Sequence, residues 1–251
     1  MPKIKTKFGL KLWSSNDGVM RQAESLVRDG IFDYIELLVV PKSNIFEFVN
    51  CKVPYIIHVP HDRWGVNIAD STKMRRNQKV LQESLQWANE LEAKYIVLHP
   101  GFGEIKEAVK FLDGVSDERI LIENMPKIGM HNEQMIGVDA EEMRKLTGDR
   151  FGFCLDLGHA IKAAVSLKRD YKGYIQELLE MNPVAFHISD GNSQNGKDAH
   201  LNMQEGEYDI TFLVSCIQKI ENAYVTMETP RKNLNSLGED KENIRKLRSF
   251  L

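Results

Sequence analysis

Six short apolar runs in this chain each end in a histidine or a carboxylate: YIIH at His58, YIVLH at His99, RILIE at Glu123, FCLD at Asp156, VAFH at His187 and YVTME at Glu228. Runs of that length, set between amphipathic stretches, read as buried strands of a parallel sheet. A polar residue at the same end of each strand narrows the choice of fold. A closed barrel brings strand ends to one mouth, whereas an open doubly wound sheet spreads them along an edge.

Two earlier runs, FGLKLW over 8–13 and DYIELLV over 33–39, bring the strand count to eight. Helical periodicity fills the intervals. DGVMRQAESLVRDG carries Ala23, Leu26 and Val27 on one face, with Asp17 placed to cap it, and a short stretch follows with Ile45, Phe46 and Val49. A long helix over roughly 73–92 presents Val80, Leu81, Leu85, Ala88 and Leu91. EIKEAVKFLDG, VDAEEMRKLTG, a region near 161–181, a stretch across roughly 209–221 and EDKENIRKLRSFL continue the alternation. Eight strand and helix pairs predict a (β/α)8 TIM barrel, a single domain over 1–251, because no Pro/Gly/Ser linker or change in composition divides the chain. The first strand leads into WSSNDG, which is not the glycine-rich fingerprint of a dinucleotide site.

A net charge of −3 argues against broad, nonspecific adhesion to nucleic acid. The segment MPKIKTKFGLKLW lacks the apolar core and cleavage site of a secretory signal, and no apolar run reaches membrane-spanning length. Cys51, Cys154 and Cys216 are odd in number and far apart, so no disulfide framework is expected, and Cys154 reads as core packing. These features point to a reducing cytoplasm and no membrane contact.

His159, just beyond Asp156, and Asp198 and His200, in the connection after the seventh strand, extend the six strand ends to nine potential metal ligands. Taken alone, His58 or His99 reads as a donor to a backbone carbonyl. Six strand ends repeating the pattern reverse that preference, because so many ionisable groups in a dry cleft are costly unless paired or metal-bound. Five imidazoles and four carboxylates, without a cysteine, suit zinc, manganese or iron. Glu123 is the expected bridge, with His58 and His99 on one ion and Asp156, His187 and Glu228 around another. His159, Asp198 and His200 can hold a third. Asp190 and Asn192 are candidates to orient His187 or its loop. His61 rivals His58, but IIHVP matches a strand and turn that favour His58, leaving His61 toward solvent or ligand. His131, in a Gly- and Asn-containing loop, reads as a surface residue or a helix cap.

At these residues the chain resembles the endonuclease IV family, within the wider group of xylose isomerase-like TIM barrels. The resemblance runs from KFGLKL to METP and is strongest in HVP at His58, VLHPG at His99, IEN at Glu123, CLDLGHA at Asp156 and His159, FHISD at His187, DAHLNMQEGE at Asp198 and His200, and METP at Glu228. It implies three zinc ions on the nine residues and hydrolysis of a DNA phosphodiester 5′ to an abasic site. Glu123 and Glu228 would be the catalytic carboxylates, the first bridging two ions and the second ligating and orienting the nucleophile. Damaged duplex DNA is the implied partner, its abasic nucleotide swung toward the pocket. One segment departs from the family. Where a basic and aromatic DNA-recognition stretch follows the second strand, this chain has ELLVVPKSNIF, with Lys42 its only base. Arg63 and Trp64, after the third strand, are candidate replacements for contacts to phosphate and to the gap left by the base.

A sugar isomerase or epimerase is the competing reading. Such relatives use a Glu, Asp, His and Glu quartet, here Glu123, Asp156, His187 and Glu228, around one divalent ion that holds a sugar substrate, and Glu36 adds a further carboxylate. That quartet leaves His58, His99, His159, Asp198 and His200 without a role, which favours the phosphoesterase. A noncatalytic binding protein has little use for so complete a set. No helix carries a heptad seam that would indicate an oligomeric state.

Overall fold

A computed structural model describes residues 6–251. Its strands are β1 Lys7–Trp13, β2 Tyr34–Leu38, β3 Tyr55–His58, β4 Ile96–Leu98, β5 Ile120–Glu123, β6 Gly152–Asp156, β7 Ala185–Ile188 and β8 Tyr224–Met227. They form a closed parallel barrel in chain order, with β1 paired to both β2 and β8. The helices are α1 Met20–Arg28, α2 Phe46–Val49, α3 Met74–Glu90, α4 Ile105–Asp113, α5 Ala140–Thr147, α6 Leu157–Ser166, α7 Tyr171–Leu179, α8 Ile210–Ile217 and α9 Gly238–Arg248. Among the described residues no helix is long and apolar enough to cross a membrane.

Strand periodicity explains why the mouth is polar. Alternate residues point to opposite faces, and the outward set, including Leu12, Ile35, Leu37, Ile57, Leu98 and Ile122, packs under the helices as the main core. The inward set forms a second cluster of Tyr34, Ile56, Val97, Leu121, Cys154 and Ala185. Two residues further along each strand, on the same inward side, stand Glu36, His58, His99, Glu123, Asp156 and His187. A plug of apolar side chains thus closes the barrel beneath a layer of ionisable ones.

The plug needs Gly9. A Cβ there would lie 2.3 Å from carbons of the Tyr34 ring, and that ring is buried with its hydroxyl 2.9 Å from Thr226 Oγ1. Overpacking of this kind costs about 1–3 kcal/mol. Gly9→Ala is expected to lower the melting temperature by about 2–12 °C, read by circular dichroism. An unchanged melting temperature would remove this account of Gly9.

The structure departs from the sequence expectations in three local respects. Asp17 does not cap α1; it opens a 3-10 turn, Asp17–Val19, and accepts from Gly18 N. The helical region near 161–181 is two helices, broken where Lys168 adopts φ 55° and restarted by Asp170, which accepts from Gly173 N. α6 also begins earlier than expected, at Leu157, because Asp156 is its N-cap and accepts from His159 N at 2.7 Å.

Candidate metal centre

Glu123 is fully buried at the end of β5, and neither of its carboxylate oxygens has a hydrogen-bond partner. His99 Nε2 stands 3.0 Å from it, His159 Nδ1 3.1 Å, His187 Nδ1 3.3 Å and His58 Nε2 3.4 Å. His187 Nδ1 is likewise without a hydrogen bond despite that proximity. Glu123 and His187 Nδ1 sit in this crowd without a hydrogen bond. A buried acceptor left in that state costs about 1–3 kcal/mol, more when charged. A cation held between the imidazoles and the carboxylate offsets this, so the residues fit a metal.

The ring orientations point the same way. His58 donates Nδ1–H to Val59 O at 2.9 Å, His159 donates Nδ1–H to Asn124 O at 2.9 Å, and His187 donates Nε2–H to Glu36 Oε2 at 3.0 Å. Each bond occupies one ring nitrogen and leaves the other bare in the neutral ring, as ligating histidines require. Asn124 joins two strand ends by donating to Asp156 O at 3.0 Å and accepting from Asp156 N at 2.8 Å.

Ligand atoms of His58, His99 and Glu123 lie within 4.8 Å of one another, as do those of Asp156, His159 and His200. Asp198 completes the second group: its Oδ2 is 2.8 Å from His200 Nε2 and 3.7 Å from His159 Nε2. The same proximity holds for Glu36, His58, His187 and Glu228, and for Glu123, Cys154 and His187. Two members of those last groups are otherwise engaged. Glu36 already receives Lys11, His187 and Thr226, and burial pushes the Cys154 thiol up to about 12.

Asp198 and His200 owe their position to the loop after β7. Asp190 accepts the backbone N–H groups of Gly191, Gln204, Gly206 and Tyr208. It organises the loop and makes no bond to His187; the partner of that ring is Glu36. Asn192 bonds elsewhere too, its carbonyl accepting from Lys162 Nζ at 2.6 Å, so that α6 anchors the loop.

Sequence reasoning missed Lys11. It is buried in the mouth and donates to Glu36 Oε1 and to Glu228 Oε1, each at 2.5 Å. Burial opposes its charge, but Glu228 and Glu36 outweigh that and raise its pKa above the ordinary lysine value. Burial also opposes ionisation of Glu36, yet His187 and Lys11 hold its carboxyl down to about 2. The available signal was strand parity: Lys11 lies two residues after Gly9, on the inward face of β1.

Around the rim runs a cleft of about 1250 Å³ lined by, among others, Trp13, His61, Arg63, His99, His131 and Arg231. His61 stacks on His99 with ring centroids 5.0 Å apart and holds Asp62 at 2.6 Å. Exposed Arg63 places its guanidinium 4.9 Å from the Trp13 ring centre. Trp64 packs edge-on against Trp13 and His61. His131 is exposed in the loop between β5 and α5.

A family model described as xylose isomerase-like TIM barrel matches residues 48–251. The chain belongs to that family. Within this xylose isomerase-like family its sequence is endonuclease IV-like. It is 28% identical over 219 residues to a protein named probable endonuclease 4 from Mycoplasmopsis synoviae, covering 78% of this chain and 77% of that one. By fold it resembles endonuclease IV from Thermus thermophilus, with a TM-score of 0.70, 19% identity and 97% and 98% of the two chains covered. It also resembles a D-tagatose 3-epimerase-like protein, with a TM-score of 0.72, 18% identity and the same coverage. The xylose isomerase-like barrel therefore does not choose between chemistries, and the choice falls to the residues in its mouth.

Those residues set a proton balance. Burial opposes charge on His159 and His200, but Asp156 and Asp198 dominate at His159 and raise it well above the usual imidazole value, and Asp198 lifts His200 to about 9. His187 is raised as well, burial being outweighed by Glu228, Glu36 and Glu123. His58 is the opposite case, lowered to about 4 by burial and Lys11. Metal binding needs bare nitrogens, so loading at pH 7 is expected to release about three protons, with affinity falling as pH falls from 9. Calorimetry in buffers of different ionisation enthalpy counts them. No released protons would contradict these charge states.

Proposed function

We propose that this protein is a metal-dependent endonuclease that hydrolyses the DNA phosphodiester 5′ to an abasic site, with three zinc ions held by the nine residues. The observation that carries the reading is the His159, Asp198 and His200 group beside the Glu123 pocket, on a loop with its own anchors. A one-ion sugar isomerase needs only Glu123, Asp156, His187 and Glu228. It has no use for a third group, and Glu36, the extra carboxylate that reading would employ, is taken up by Lys11, His187 and Thr226. The probable endonuclease 4 sequences to which the chain is similar support the same choice.

His58 and His99 would hold one ion, Asp156, His187 and Glu228 a second, with Glu123 bridging the two, and His159, Asp198 and His200 a third. Bound zinc would supply the Lewis-acid charge that phosphoryl transfer requires. Glu228, at the mouth with Oε2 facing His200, orients the attacking water. The water oxygen bonds to phosphorus as the bond to the 3′ oxygen breaks, and a proton equivalent to the one the water gives up is taken from solvent by the 3′ oxygen, leaving a 3′-hydroxyl and a 5′-deoxyribose phosphate. Arg63 contacts backbone phosphate, and Trp13 with Trp64 forms the apolar wall beside it.

The test is incision of a duplex carrying one tetrahydrofuran abasic analogue by protein of known metal content. A cut on the 5′ side of the analogue, absent from an undamaged duplex, is the expected result. No incision, together with one bound ion and turnover of a ketose, would replace this reading with the isomerase.

A further inference from the structure

Five carboxylates meet in the mouth, Glu36, Glu123, Asp156, Asp198 and Glu228, and Lys11 is the buried lysine whose Nζ touches two of them. Its placement follows from register. Lys11 pairs with Glu36 across β1 and β2, and Leu10 pairs with Met227 across β1 and β8, which puts Lys11 beside Glu228. The oxygen it binds, Glu228 Oε1, is also the one 3.3 Å from His187 Nδ1. An ammonium group therefore sits against an oxygen that faces His187 Nδ1, which has no hydrogen bond, while Glu36 bridges Lys11 and the other nitrogen of the same ring.

We propose that Lys11 is a built-in cation that weakens the ion held by His187 and Glu228, making it the last of the centre to load and the first to leave. The inference rests on the metal centre, and not on which substrate that centre acts on. Five carboxylates and one lysine leave four negative charges, which two divalent ions balance. A third ion enters a site that is already neutral, and the one beside the ammonium meets the strongest repulsion. Glu36 acts in the opposite sense, adding negative charge on the far side of His187. Lys11 and Glu36 together set how tightly that ion is held.

This account differs from an ordinary structural salt bridge in the sign of two substitutions. Loss of a contact that merely supports ligands lowers metal affinity by roughly 10–100-fold whichever partner is removed. Loss of charge in a buried pocket acts with a sign that depends on the partner. Lys11→Met is expected to tighten the weakest ion about tenfold or more. Glu36→Gln, whose amide oxygen still accepts the His187 Nε2–H, is expected to loosen it by a similar factor. The double variant, matched to the natural charge, is expected to return within about threefold of the starting affinity.

The experiment is a cobalt(II) titration of the metal-stripped full-length protein, followed by visible absorption, with bound ions counted by atomic emission and melting temperature recorded for each variant. Opposite shifts for the two single variants are the expected result. Losses of affinity in both, or a change in melting temperature with cobalt binding unaltered, would overturn the proposal and leave the metal centre standing. Failure of the unsubstituted protein to bind cobalt would remove the centre and the role of Lys11 together. Should Lys11→Met not fold, Lys11→Gln, which removes the charge and keeps an N–H donor toward Glu228, takes its place: unchanged or looser binding there would refute the idea.

Discussion

Glu123→Ala is expected to reduce incision of an abasic duplex by about 10³-fold or more, the equivalent of roughly 4 kcal/mol of transition-state stabilisation. Its carboxylate lies within 3.4 Å of ring nitrogens of His58, His99, His159 and His187 at once, and its oxygens have no hydrogen-bond partner. Without it the proposed bridge is gone, and His58 and His99 are left as a two-residue site too poor to hold an ion firmly. Metal content should therefore fall together with activity. The β5 backbone pairs with β4 and β6 independently of the side chain, so far-UV circular dichroism should be preserved. Single-turnover incision and elemental analysis on the same preparation check both points. A variant with full metal content and natural rate would rule out Glu123 as the bridge.

Stripping the metals should have the second largest effect, on stability as well as activity. Candidate ligand atoms from six of the eight strand ends, the first turn of α6 and one loop converge in the mouth, and ions binding there would hold those elements to each other. A ligand at a free concentration about 1,000 times its dissociation constant stabilises the folded state by about 4 kcal/mol, provided the unfolded chain does not bind it. For a protein of this size each kcal/mol moves the melting temperature by about 2–4 °C. Chelation is thus expected to lower it by about 8–16 °C for one such site, with recovery on adding zinc. Scanning calorimetry with and without chelator measures the difference. An identical transition in both conditions would argue against ions bound between strand ends.

Much of this arrangement was legible in the chain because strand chemistry is local. A strand of four residues ending in histidine or glutamate shows both its apolar face and its polar tip, as YIIH and ILIE do, and alternation places the tip on the inward side. The loop after β7 was harder to read. Asp190 bonds four backbone N–H groups up to 18 residues away, and nothing in ISDGN distinguishes that task from holding His187. Lys168, which ends α6 in a left-handed conformation, is an ordinary helical residue by type, so the region near 161–181 reads as continuous. Trp64 shows its size in sequence but not its neighbours, Trp13 and His61.

Sequence by itself determined the eight strands, their inward faces and the polar residues at the strand ends that are candidate ligands, because each follows from residue identity and a period of two within a few positions. Tertiary structure alone decided which charges meet. Lys11 and Glu228 are 217 residues apart, and Glu36 and His187 are 151 apart. Only barrel closure, which sets β1 beside β8 and fixes the stagger of each strand, brings them within 2.5–3.0 Å. Electrostatic interaction depends on that separation in space and on the dryness of the pocket. Neither quantity is carried by the order of residues along the chain.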